Sequence, residues 1–80
     1  MEKVLRWQLL ADRFAEDNSN VFIKKLNGDL HFCKIILVGE TKVLVKNYAP
    51  PQRAGTKSNI DWLQIEKFEE VMKWSVPNVV

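Results

Sequence analysis

The chain has 80 residues, 46% of them hydrophobic, and a formal net charge of +2. With a single cysteine, Cys33, and a single histidine, His31, it can form neither an internal disulfide nor a four-ligand zinc site from the usual nitrogen and sulfur donors. No apolar run reaches the roughly 18 residues that a membrane-crossing helix needs, and the first residues lack the blocks of a secretory signal, so a soluble, cytoplasmic protein is expected.

From Glu2 to about Glu16, Val4, Trp7, Leu10, Ala11 and Phe14 recur at three- and four-residue spacings, which predicts an amphipathic helix within residues 1–17, its stripe widened by Leu5 and Leu9. The short polar side chains of Asp17 to Asn20 compete with helical hydrogen bonds and end it there. Val21 to Leu26 reads as a strand, Asn27-Gly28 as a hairpin turn, and Leu30 to Val38 as the returning strand. Because Ile35, Ile36, Leu37 and Val38 are all apolar, this second strand must be covered on both faces or bend sharply. Gly39-Glu40 leads into a third strand, Thr41 to Lys46.

Pro50 and Pro51, followed by Arg53, Gly55, Lys57, Ser58 and Asn59, mark a longer surface loop. Ile60, Trp62, Leu63, Ile65 and Phe68 predict two more short strands joined by a bend, in preference to a helical reading of Gln64 to Trp74. A barrel over 21–68 then precedes a C-terminal extension, 69–80, whose last residues from Pro77 read as a tail. The expected fold is mainly β: one domain, with an N-terminal helix and a small, strongly bent, five-stranded antiparallel barrel. A core this small supplies modest stability, and without a disulfide or metal the common remedy is association with further copies.

The segment Val21-Phe22-Ile23-Lys24-Lys25-Leu26-Asn27-Gly28, continuing through Ile35 to Val43-Leu44-Val45-Lys46-Asn47, resembles the first motif of the bacterial Hfq-like branch of Sm-like RNA-binding proteins, without a gap. The resemblance implies a homo-oligomeric ring that binds single-stranded RNA, closed by pairing the edge strands of neighbouring subunits, with Ile60, Trp62, Leu63, Ile65 and Phe68 at the interface. Open sheet edges are liabilities that such a ring removes. The pore residues of the family are not matched. Glu40-Thr41 stands in place of a Gln and an aromatic residue, and Trp62-Leu63 in place of a Lys-His pair. Cys33 replaces a small glycine and His31 falls where an apolar residue is expected, which implies either a bulge in the second strand or a differently packed barrel.

Charge is concentrated in the middle of the chain. Residues 21–59 carry seven cations against Asp29 and Glu40, a net +5, whereas residues 1–20 sum to −1 and 60–80 to −2. RNA held by phosphate charge and base stacking would call on Lys24, Lys42, Lys46, Arg53 and Lys57 for the first role, and on Trp62 and Tyr48 for the second. The plainer readings are a solvated lysine face and a core or interface tryptophan. No catalytic group is expected: His31 has no evident partner and Cys33 reads as a small buried residue. Neither a metal nor a cofactor is expected. The main alternative is a protein-interaction module of the same fold using Trp62, Tyr48 and the proline-bearing loop, and lysines alone do not separate RNA from DNA.

Overall fold

The computed structural model describes residues 2–71. Helix α1 spans Glu2–Glu16 and buries Ala11 and Phe14, with Val4, Trp7 and Leu10 of the same stripe packed against the core. It ends where the polar run was expected to stop it. Asn18 takes a left-handed φ of 54°, while Ser19 N–H donates to Phe14 O (2.9 Å) and Asn18 N–H to Ala15 O (3.2 Å), closing the last turn as a Schellman pair.

Five strands follow: β1 Val21–Lys25, β2 Leu30–Val38, β3 Lys42–Ala49, β4 Lys57–Asp61 and β5 Ile65–Glu70, with a single 3-10 turn, Trp62–Gln64, between the last two. They form one antiparallel sheet in the order β4-β3-β2-β1-β5. The β1–β2 turn is tightened by Gly28, whose φ of 96° suits a residue without Cβ, and by Asn27 Oδ1, which accepts the Asp29 N–H at 2.9 Å. The sheet is bent by register shifts. One falls between Ile35 and Leu37, so Ile36 is the extra residue and the run Ile35 to Val38 turns partly outward instead of needing cover on both faces. A second falls between Phe32 and Cys33, opposite Tyr48, and a third between Lys24 and Lys25 of β1, opposite Glu66 of β5.

Inside the bend lie Val21, Ile23, Cys33, Ile35, Val43, Val45, Ile60, Trp62, Ile65 and Phe68, all buried. The helix packs mainly against β2, and Phe68 of β5 adds aromatic contacts, its ring 5.6 Å from that of Trp7 and 5.3 Å from that of Phe14. Burial of each such side chain contributes roughly 1.5 to 3 kcal/mol.

Three boundaries differ from the sequence reading by more than one residue. β3 runs on to Ala49 because Phe32 and Cys33 of the long β2 continue to pair with it. β4 begins at Lys57, so Lys57, Ser58 and Asn59 belong to a strand: they pair with Lys46, Val45 and Leu44, and that ladder outweighs their turn-forming composition. β5 continues to Glu70 beside β1, which excludes the helical reading over its length. Trp74 and the tail from Pro77 lie outside the described residues.

Candidate nucleic-acid interface

β3 alternates strictly. Val43, Val45 and Asn47 point into the barrel, leaving Lys42, Leu44 and Lys46 on the outer face. The ladder fixes what stands beside them. Lys46 pairs directly with Lys34 of β2 on one side and with Lys57 of β4 on the other, so three lysines form a row across three adjacent strands. Direct cross-strand neighbours have Cβ atoms about 4.5 to 5.5 Å apart, and like charges at that distance destabilise a sheet. Among the described residues the ion pairs are Lys24–Glu66 (3.8 Å) and Lys25–Asp29 (4.0 Å), so no carboxylate neutralises the row.

Next to the row, Tyr48 continues the outward phase of β3 and is 38% exposed, and the register shift leaves it without a partner on β2. Lys34, Lys46 and Tyr48 line a shallow cleft of about 290 Å³ with Ala54 and Gly55 of the β3–β4 loop. Burial pushes the Tyr48 phenol above its ordinary value, with the nearby Cys33 adding to the shift, so it stays a neutral donor. The loop is held against β3 by Asn47, whose Nδ2 lies 3.2 Å from Thr56 Oγ1 and 3.0 Å from Ser58 Oγ. Its backbone N–H donates to Thr56 O and its carbonyl accepts from Gly55 N–H, each at 2.8 Å. Thr56 in turn holds Arg53, its hydroxyl donating to Arg53 O at 2.6 Å, so the exposed Arg53 is carried on a braced loop.

Of the residues expected to bind RNA, Lys46, Lys57 and Tyr48 are thus brought together, with Arg53 on the adjoining loop. Lys24 stands apart on β1, opposite Lys67 and paired with Glu66, and Lys42 lies at the other end of β3, opposite Asp61. Lys34, absent from that expected set, belongs with them. The signal was the spacing of β2 and β3, but it can be used only once the two register shifts between them are known.

The expectation for Trp62 is corrected. It is 1% exposed, and its indole N–H donates to Gly39 O at 2.9 Å, so the ring is packed into the core and offers no face on which a base could stack. Ile60, Ile65 and Phe68 are likewise buried within the subunit, because a sheet this strongly bent folds them onto its own helix and inner face. They are core side chains. Leu63 alone of the expected interface set is exposed, at 59%. What β4 and β5 present outward is backbone: they are the two margins of the sheet and pair with β3 and β1 respectively, each on one side.

His31 and Cys33 keep the inward phase of β2, at 5% and 0% exposure. The barrel accommodates His31 through a polar partner, with Nδ1 2.9 Å from Asn47 Oδ1. Burial pushes the Cys33 thiol up to about 12, which leaves it protonated and unreactive. Among the described residues no three metal-ligating side chains come together, and no helix is long and apolar enough to cross a membrane. No family model matches the chain, and no curated protein matches it.

Proposed function

We propose that this is an Sm-like, RNA-binding protein of the cytoplasm, assembled as a homo-oligomeric ring and working without catalysis. RNA lies against the outer face of β2, β3 and β4, and not against the turns that carry the pore residues of the Hfq-like branch. The observation that carries the reading is the row Lys34-Lys46-Lys57 with Tyr48 beside it. A sheet that places three like charges opposite one another is relieved when a polyanion threads between them, and single-stranded RNA adds a base for the tyrosine to stack on. Assembly is supported by topology. The two margins of the sheet are consecutive strands separated by one 3-10 turn, so the open edge of β4 on one copy and of β5 on the next can complete each other around a closed ring.

Two measurements test this. Light scattering on the full chain at micromolar concentration is expected to give a closed oligomer, and a monomer would remove the assembly half of the proposal. Fluorescence anisotropy with short homopolymeric RNAs at two salt concentrations is expected to show affinity falling steeply with salt, as phosphate contacts require. An affinity that ignores both salt and the charge of Lys46 would remove the RNA half.

A further inference from the structure

Lys42 stands four residues before Lys46 on β3, on the order of 13 Å away at about 3.3 Å per residue, and beside it the surface changes sign. There α1, the β2–β3 turn and the 3-10 turn enclose a mainly apolar cleft of about 450 Å³. Leu5 of α1 and Leu63 of the 3-10 turn form two of its walls, both more than half exposed.

The polar lining is one-sided. Gln8 directs Nε2 to Gly39 O and Glu40 O, each at 3.1 Å, so the free end of its amide is the acceptor Oε1. Glu40 contributes an exposed carboxylate and Asp61 a half-buried one, of which one oxygen accepts the Leu63 N–H at 2.9 Å. The Thr41 hydroxyl can act either way. The indole N–H of Trp62 is already committed to Gly39. Neither carboxylate is in an ion pair among the described residues. The cleft therefore offers an apolar slot ringed by acceptors and negative charge, and its complement is an apolar body that brings donors and positive charge.

We infer that this cleft docks a segment of a partner protein in which an arginine or lysine lies beside a leucine-, isoleucine- or phenylalanine-type side chain. The apolar side chain enters between Leu5 and Leu63, and the cation reaches Glu40 and Asp61. The inference does not depend on RNA binding, because the lysine row lies at the other end of β3.

The test uses the full, isotope-labelled chain and a panel of short synthetic peptides pairing arginine with leucine, isoleucine or phenylalanine. Control peptides carry glutamate for arginine, or serine for the apolar residue. Members of the panel are expected to shift the backbone resonances of Thr41, Asp61 and Leu63 and to lose about tenfold or more in affinity with the exposed-site variants Glu40→Lys and Leu5→Ser. Both controls are expected to bind no better than those variants allow. RNA affinity is expected to be unchanged in Leu5→Ser, which separates this site from the lysine face. The inference is overturned if no panel member shifts those resonances at roughly millimolar concentration. It is equally overturned if the glutamate peptides bind as well, or if both variants bind like the parent.

Discussion

His31 and Asn47, two polar side chains of the barrel interior, meet through Nδ1 and Oδ1 at 2.9 Å, and Asn47 carries the bond onward to the loop that presents Arg53. Because the amide oxygen can only accept, the imidazole holds its proton on Nδ1. Asn47→Ala leaves that N–H buried without a partner and strips the side-chain bonds to Thr56 and Ser58. A loss of about 2 to 4 kcal/mol in urea unfolding is expected, together with faster amide exchange at Gly55. Unchanged stability would mean that the pair is not the brace described above.

The lysine row makes opposite demands on folding and on binding. Lys46→Thr removes the central charge and supplies a better strand former, so the fold should gain a few tenths of a kcal/mol, up to about 1. RNA affinity should fall, and the slope of log affinity against log salt should shrink by about one contact. Lys34→Thr should weaken RNA binding likewise but without the gain in stability, because it also removes the bond from Lys34 Nζ to Asn18 O at 3.1 Å, whereas Lys24→Thr, taken from a position paired with Glu66, should leave RNA affinity nearly unchanged. Equal losses at Lys24 and Lys46 would count against a localised site.

Trp62 and Trp7 should respond differently to replacement by phenylalanine. Trp62→Phe removes the bond to Gly39 and should cost about 1 to 3 kcal/mol, since Gly39 O then keeps only its bond from Gln8. The Trp7 indole N–H is buried without a partner among the described residues, so Trp7→Phe loses area but also an unpaired donor and should cost less. Thermal unfolding of the two variants side by side measures the difference. For RNA affinity, Trp62→Phe should be neutral as long as the protein remains folded, because the ring offers no face to a base.

Alkaline stability carries a signature of Cys33. Its thiol titrates near 9.0 when unperturbed and near 12 in the fold, so above about pH 9 the unfolded chain loses this proton and the folded chain does not. The contribution is complete below pH 9.0 and disappears as pH rises toward 12, which destabilises the fold across that window. Cys33→Val should flatten the fall in melting temperature relative to the parent protein over the same window. Parallel curves would place the thiol in contact with water.

Local chemistry determined much of the architecture. The stripe from Val4 to Phe14 specifies a helix whatever surrounds it, because a 3.6-residue period leaves one apolar face. Asn18 and Gly28 end one element and turn another through backbone angles that few other residues adopt readily. The apolar run from Ile35 to Val38 announced that something unusual happens in β2, although not which residue would be the extra one.

Tertiary structure decided the rest. Whether Lys34 joins Lys46 and Lys57, and whether Trp62 faces solvent or core, depends on register and bend. A shift of a single residue reverses every side chain of a strand, and composition does not record it. The same holds for the cleft between Leu5 and Leu63, whose walls are 58 positions apart in the chain and become neighbours only when the sheet bends the 3-10 turn onto the helix. Sequence settles what each short stretch prefers, because that preference is local. Which side chains share a surface is set by long-range pairing, and only the folded chain fixes it.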